Sequence, residues 1–314
     1  MVSDLLPTIT TRWILDQRGP KNSVDPAIPN GYFVEEEVSS QGDLEAVATI
    51  LLTNRECPLR CTMCDLWKNT TDNSVRPGAI PGQIDHALSS LAPTAVVKLY
   101  NSGNFFDRQA IPRADWEEIA DRVRSFRQVI VETHPRMLDG VEEFQSLIAP
   151  AQLQVAMGLE SIHPQVLPRL NKQMTLDDFS SACARLLGVG ITVRCFILLR
   201  PPWLNEKEGC QWALKSLDFA FSAGVECCSL VPTRVGNGAM EALEAAGQFS
   251  PPSLRSMETV LSSGLRDGRG RVLMDLWDVE RFFRCPDCDQ RRVERVRQMN
   301  RHQRSLPPTK CEAC

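Results

Sequence analysis

The stretch VATILLTNRECPLRCTMC, residues 47 to 64, decides how the rest of the chain is read. Its first half, VATILLTN (47 to 54), is an apolar, β-branched run of the length of a buried strand. The chain then turns polar at Arg55 and Glu56 and delivers Cys57, Cys61 and Cys64 in a C-x3-C-x2-C loop. Three thiolates on one short loop are the donor set of an iron-sulfur cluster, and a four-iron cluster with three protein ligands leaves one iron open. A structural zinc site takes four protein ligands, so the triplet suits zinc poorly. The plain alternative is three buried, unreactive thiols.

Outward from this loop the pattern repeats. Further strands are expected at AVVKLYN (95 to 101), QVIVET (128 to 133), LQVAMGL (153 to 159), ITVRCFILL (191 to 199) and ECCSLVP (226 to 232). Helical periodicity lies between them, as at 111 to 126, 175 to 190 and 208 to 224, and the last two stretches end in Gly. Alternating β and α elements imply a parallel sheet with right-handed crossovers. Six units predict an α/β fold with a partial (β/α)6 TIM-like barrel, a flat doubly wound sheet being the alternative. Both place the active site at the carboxyl ends of the strands, and there the sequence puts Ser102-Gly103-Asn104, His134, Glu160-Ser161, Arg200 and Arg234.

The 314 residues suit one large core with a small appendage, and a 43% hydrophobic fraction can bury it. No run of about eighteen apolar residues exists and the first residues lack the regions of a secretory signal, so no membrane partner and a cytoplasmic location are expected. A net charge of −4 argues against a general nucleic-acid coat. No G-x-S-x-G elbow or H-E-x-x-H helix accompanies the four histidines, which leaves hydrolase chemistry without support. The twelve cysteines are grouped: seven fall in tight sets, while Cys183, Cys195, Cys210, Cys227 and Cys228 lie in apolar or helical pattern as small core residues.

The C-x3-C-x2-C loop after a first barrel strand resembles the signature of the radical S-adenosylmethionine (radical SAM) superfamily. The resemblance implies a [4Fe-4S] cluster on Cys57, Cys61 and Cys64, with S-adenosyl-L-methionine bound at the open iron. One-electron reduction, by a reductant not identifiable from sequence, would then yield a 5′-deoxyadenosyl radical that takes a substrate hydrogen atom. Met63 stands where the family often has an aromatic residue and is assigned to cofactor packing. Asn101, Ser102, Gly103 and Asn104 are similar to the family's glycine-rich segment at the methionyl amino group, with Asn104 in place of the usual acid. Glu160 and Ser161 look like its ribose-contacting segment, and Arg200 is a further candidate cofactor contact. The segments KLYNSGNFFD, LLRPPWLNEKEG, GNGAMEALEAAGQFSPPSL and CPDCD narrow the resemblance to the archaeosine-type radical SAM proteins, relatives of the radical SAM core of elongator-type enzymes. That group acts on a lysine-bearing deazaguanine base in tRNA, which makes tRNA a candidate partner.

Two CxxC pairs, Cys285/Cys288 and Cys311/Cys314, can supply four thiolates to zinc or to an auxiliary iron-sulfur cluster. The rival is that the terminal pair is a mobile tail. Eight arginines between Arg281 and Arg304 form a basic island, open to reading as a phosphate contact or as a solvated helix face. The expected division is therefore an irregular lead-in (1 to 45), a radical SAM core (46 to 270) and a four-cysteine metal-binding module (271 to 314). Two other functions fit parts of the sequence: a zinc-stabilised nucleic-acid-binding protein and a non-catalytic iron-sulfur electron carrier.

Overall fold

The computed structural model describes residues 8 to 314. Its elements run α1 (Thr11–Asp16), β1 (Gly31–Val38), β2 (Leu44–Leu51), α2 (Ala79–Leu88), β3 (Val96–Tyr100), α3 (Trp116–Val123), β4 (Gln128–Thr133), α4 (Val141–Leu147) and β5 (Gln152–Glu160). They continue with α5 (Val166–Arg169), α6 (Leu176–Gly188), β6 (Thr192–Leu199), α7 (Glu206–Ser222), β7 (Cys227–Pro232), α8 (Ala239–Ala245), α9 (Leu254–Asp267), β8 (Arg271–Met274) and α10 (Asp289–His302). The eight strands form one sheet in sequence order. β2 to β8 are parallel and β1 pairs antiparallel with β2. The partial α/β barrel is thus present, with seven parallel strands rather than six.

Period-two alternation sorts each strand between two faces. Ala48, Ile50, Val97, Leu99, Val129 and Val131 join the large core under the helices. Val47, Val96, Ile130 and Ala156 face the lumen, with Tyr100 and Phe196 packed on them. Cys183, Cys195, Cys227 and Cys228 are buried and Cys210 is half-buried against the core, as small packing residues should be.

Two strands depart from the sequence reading. β1 lies inside the stretch expected to be irregular. Its acidic run carries Glu37 into the lumen, where it meets Lys98 at 2.7 Å and the Arg194 guanidinium. A strand carrying three consecutive glutamates is stable because cations from other elements meet them, a condition invisible locally. β8 is four residues long, too short for periodicity to reveal.

Helix α10 covers the side of the barrel between β8 and β1. The Asn300 amide accepts from Met274 N at 2.9 Å and donates to Met274 O at 2.8 Å; Gln303 does the same to Val272 at 2.9 and 3.0 Å. Two side-chain amides thereby satisfy the outer edge of β8 as another strand would. On the other side Arg301 reaches Glu36 of β1 at 3.2 Å, and Arg271 donates to Val38 O. Within the stretch 271 to 314, β8 thus belongs to the barrel sheet and α10 packs along its edge.

Candidate active site

At the strand ends, Gly103, Asn104 and Glu160 of the expected residues lie near the cysteine loop. Gly103 lies so close to the cysteine loop that a Cβ there would sit 3.3 Å from the Cys57 Cβ. Asn104 Nδ2 donates to Cys57 Sγ at 3.1 Å, and Leu59 N–H points at the same sulfur at 3.4 Å. Glu160 holds the Lys172 ammonium at 2.7 Å, and the buried Lys172 charge acts on both Cys61 and Cys57. Burial works against a charge on Lys172, but Glu160 and the neighbouring thiols outweigh it and keep its pKa above the ordinary lysine value.

The loop itself is clamped from several elements. Thr62 N and Oγ1 donate to Leu170 O and Arg169 O, and Asn171 Nδ2 donates to Arg60 O at 2.7 Å. Asn237, beyond β7, donates to both Thr62 O (2.7 Å) and Cys64 O (3.1 Å). The N-terminal segment also crosses this side of the rim: Arg18 and Lys21 meet Glu56 at 2.7 and 2.9 Å, and Arg18 lies over the Trp67 ring.

Glu132 organises the turn after β3. It accepts from Asn101 N at 2.7 Å, and the N–H groups of Ser102 and Gly103 lie close enough to favour its charged form. Burial pushes its carboxyl up, and these three donors oppose that. With the Asn101 N–H turned inward onto Glu132, the carbonyl oxygens of the turn are suited to receive a cationic group such as an ammonium. Ser102 adopts φ of 54°, the left-handed conformation needed to line up such donors.

His134 is a strut. Its backbone N donates to Asn104 Oδ1 at 2.7 Å; Nδ1 accepts from Arg136 N, so Nε2 carries the proton given to Lys172 O at 2.9 Å. Burial and the Lys172 charge hold its pKa down at about 4. It ties the 101 to 104 turn to the segment bearing Lys172.

Other expected site residues sit as follows. Met63 packs with Trp203 in an apolar patch that also holds Val166, Leu170 and Leu204. Ser161 is buried and accepts from His163 N. One Arg200 nitrogen is engaged by Glu206 at 3.0 Å and Pro251 O at 2.9 Å, while its buried Nε has no partner. Glu132, Lys172 and Asn237 were not anticipated. Lys172 lies twelve residues beyond Glu160 in a stretch that reads as an ordinary loop, and only tertiary approach reveals any of the three.

The residues fit an anionic, thiolate-bound cluster. Burial, the largest cause for each, pushes the Cys61 thiol up to about 11 despite the Lys172 charge and raises Cys57 and Cys64, so the bare loop is protonated and a cationic iron core would reverse that. The N–H donors to sulfur and the Lys172 charge are the surroundings such a cluster needs. Asn101, fully buried beside the loop, has neither amide atom bonded within the chain, which leaves polar capacity for a ligand.

The C-terminal thiols converge as well. All four sulfurs, of Cys285, Cys288, Cys311 and Cys314, lie within 4.8 Å of one another. The basic island, by contrast, is largely engaged within the chain: Arg292 and Arg295 meet Glu258, Arg297 meets Glu294, and Arg281 and Arg284 donate to backbone carbonyls. That weakens it as a nucleic-acid surface. Among the described residues no helix is long and apolar enough to cross a membrane.

No family model matches the chain. It is 27% identical over 213 residues to a Methanosarcina acetivorans protein, covering 64% of this chain and 60% of that one. It is 25% identical over 211 residues to a Thermococcus kodakarensis protein, covering 64% and 65%. Both relatives are archaeosine synthase beta subunits. The match spans slightly under two thirds of each. Among solved structures, the chain is similar to Methanocaldococcus infernus Elp3 (TM-score 0.49, 16% identity, 61% of this chain and 50% of that one). It is also similar to methylornithine synthase (TM-score 0.45, 11% identity, 82% of each).

Proposed function

We infer that the chain is a radical SAM enzyme whose substrate is a lysine-bearing deazaguanine base in tRNA, the chemistry its archaeosine-type resemblance implies. The observation that carries the enzyme class is the meeting, at one rim, of the three-thiol loop with the 101 to 104 turn, whose Asn104 amide donates to Cys57 Sγ and whose Asn101 N–H is held by Glu132. Cys57, Cys61 and Cys64 would hold a [4Fe-4S] cluster, which with bound S-adenosylmethionine supplies a 5′-deoxyadenosyl radical. The carbonyls of residues 101 to 103 would receive the methionyl ammonium, and the Lys172 ammonium would face its carboxylate. Glu160 and Ser161 stand for the ribose contacts and Met63 with Trp203 for an apolar seat. A one-electron reductant is required. The relatives' printed names make them subunits, so a second subunit is the natural partner, and a tRNA substrate places the protein in the cytoplasm.

The test is 5′-deoxyadenosine formation by anaerobically reconstituted, reduced protein. Cys61→Ala should abolish it, and tRNA carrying the lysine-bearing base should accelerate it over unmodified tRNA. Undiminished formation by the Cys61→Ala protein removes the enzyme assignment; equal rates with the two tRNAs remove the substrate alone.

A further inference from the structure

We propose that Cys285, Cys288, Cys311 and Cys314 bind a single structural zinc ion, charge-balanced by Arg292, and that this ion fastens the helix that closes the barrel. The sulfur spacing selects one ion over a second cluster. Thiolates about 2.3 Å from one tetrahedral ion are about 3.8 Å apart along each edge. Cys285 and Cys311 are 3.8 Å apart and Cys288 and Cys314 are 3.4 Å apart. A four-iron cluster places each thiolate on a different iron, which spreads the sulfurs well beyond an edge of that length.

The surroundings match. Four thiolates on a divalent ion carry a net charge of about −2, costly near a protein interior unless met by a cation or N–H donors. Arg292 is buried beside the sulfurs, its Nε 3.2 Å from Cys288 Sγ and its Nη2 3.9 Å from Cys314 Sγ. Glu258 holds this guanidinium from behind, itself fixed by Arg295 at 3.2 Å and by the Thr309 hydroxyl at 2.7 Å. Arg292 is thus a positioning residue for the thiolates. Four protein sulfurs fill the coordination sphere, so the ion has no open position and its role is structural.

The tetrad sits at a consequential place. Cys288 immediately precedes α10, whose far end carries the Asn300 and Gln303 amides that satisfy Val272 and Met274. Cys311 and Cys314 come from the tail that follows the helix. Binding one ion, with release of the thiol protons, joins the tail to the start of α10 and seats the helix on α9 and β8. This inference is independent of the active-site reading, since it concerns different cysteines and a different metal.

The full chain, prepared anaerobically, decides it by metal analysis. The expected result is one zinc per chain beside the iron of a single cluster, with zinc retained in the Cys61→Ala protein. Arg292→Leu should weaken zinc binding by roughly 10- to 100-fold in chelator competition, partly restored in Arg292→Lys. Stripping the zinc should speed hydrogen exchange at the Val272 and Met274 amides. Iron for two clusters without zinc, or no metal beyond one cluster, overturns the site, and this needs no variant to fold. Unchanged zinc affinity in Arg292→Leu removes Arg292 from the scheme, and unchanged exchange at Val272 and Met274 removes the link to barrel closure.

Discussion

Asn104 shows how one side chain can serve two elements. Its amide nitrogen donates to Cys57 Sγ and its amide oxygen accepts from His134 N, so it joins the cysteine loop to the end of β4. Asn104→Ala should cost about 1–3 kcal/mol, the price of an unmet N–H in a buried site, read as a shift in the urea unfolding midpoint. Asn104→Asp separates the two roles, because it keeps the acceptor for His134 and loses the donor to sulfur. That variant should unfold at lower urea than wild type, because a carboxylate is buried beside the thiols, and the reconstituted cluster should have a more negative midpoint potential, since the lost N–H donor and the added charge both disfavour the reduced state. An unchanged potential would mean that Asn104 acts only as a strut. The three cysteines were legible in the sequence because a fixed spacing in one loop carries them, whereas Asn104 entered only through the resemblance of residues 101 to 104 to the family's glycine-rich segment. Lys172, Glu132 and Asn237 were not, because each acquires its role by meeting a segment far away in the chain.

At the scale of the element, β1 is the case where local pattern misleads. GYFVEEEV has the residues of a strand in its first half and an acidic run in its second, and the second half suggested irregular chain. The barrel supplies what the run lacks. Burial opposes ionisation of Glu37, yet Arg194 and Lys98 hold its carboxyl well below the usual carboxylate range. Its folded pKa is depressed, so the stabilisation is complete above the ordinary value of 4.5 and is lost as pH falls from there toward the folded pKa. Glu37→Ala should cost about 3–5 kcal/mol at neutral pH, because Lys98 and Arg194 would be left buried without it. Urea unfolding of wild type and variant at pH 7 and near pH 3 checks both statements, and the gap between the two proteins should narrow at the lower pH. The parallel strands β2 to β7, in contrast, were legible because strands buried on both faces write continuous apolar runs.

Across the whole molecule, distant parts of the chain meet at the cysteine loop: the N-terminal segment from one end and the strand-end loop after β7 from the other. Sequence reading treats these as unrelated, since the first looks like an irregular lead-in and the second is a strand-end segment more than two hundred residues later. Gly238 is where they touch. Its φ is +87°, and a Cβ there would lie 1.9 Å from the Gln17 carbonyl oxygen. A side chain at this position is therefore strained by backbone conformation and also forces the N-terminal segment off the loop. The neighbouring Asn237 is the clamp on Thr62 O and Cys64 O, so displacement on one side should loosen the cysteine loop on the other. Gly238→Ala is expected to lower stability by more than about 1 kcal/mol, the scale of forcing an L residue into a left-handed backbone. It should also reduce iron retained after reconstitution and speed proteolysis near Gln17 and Arg18. Gly247→Ala is the control: it too replaces a left-handed glycine (φ +69°), but nothing lies within 4 Å of the added Cβ. If both variants lose stability while keeping wild-type iron, the strain is purely local and the N-terminal segment has no part in holding the site.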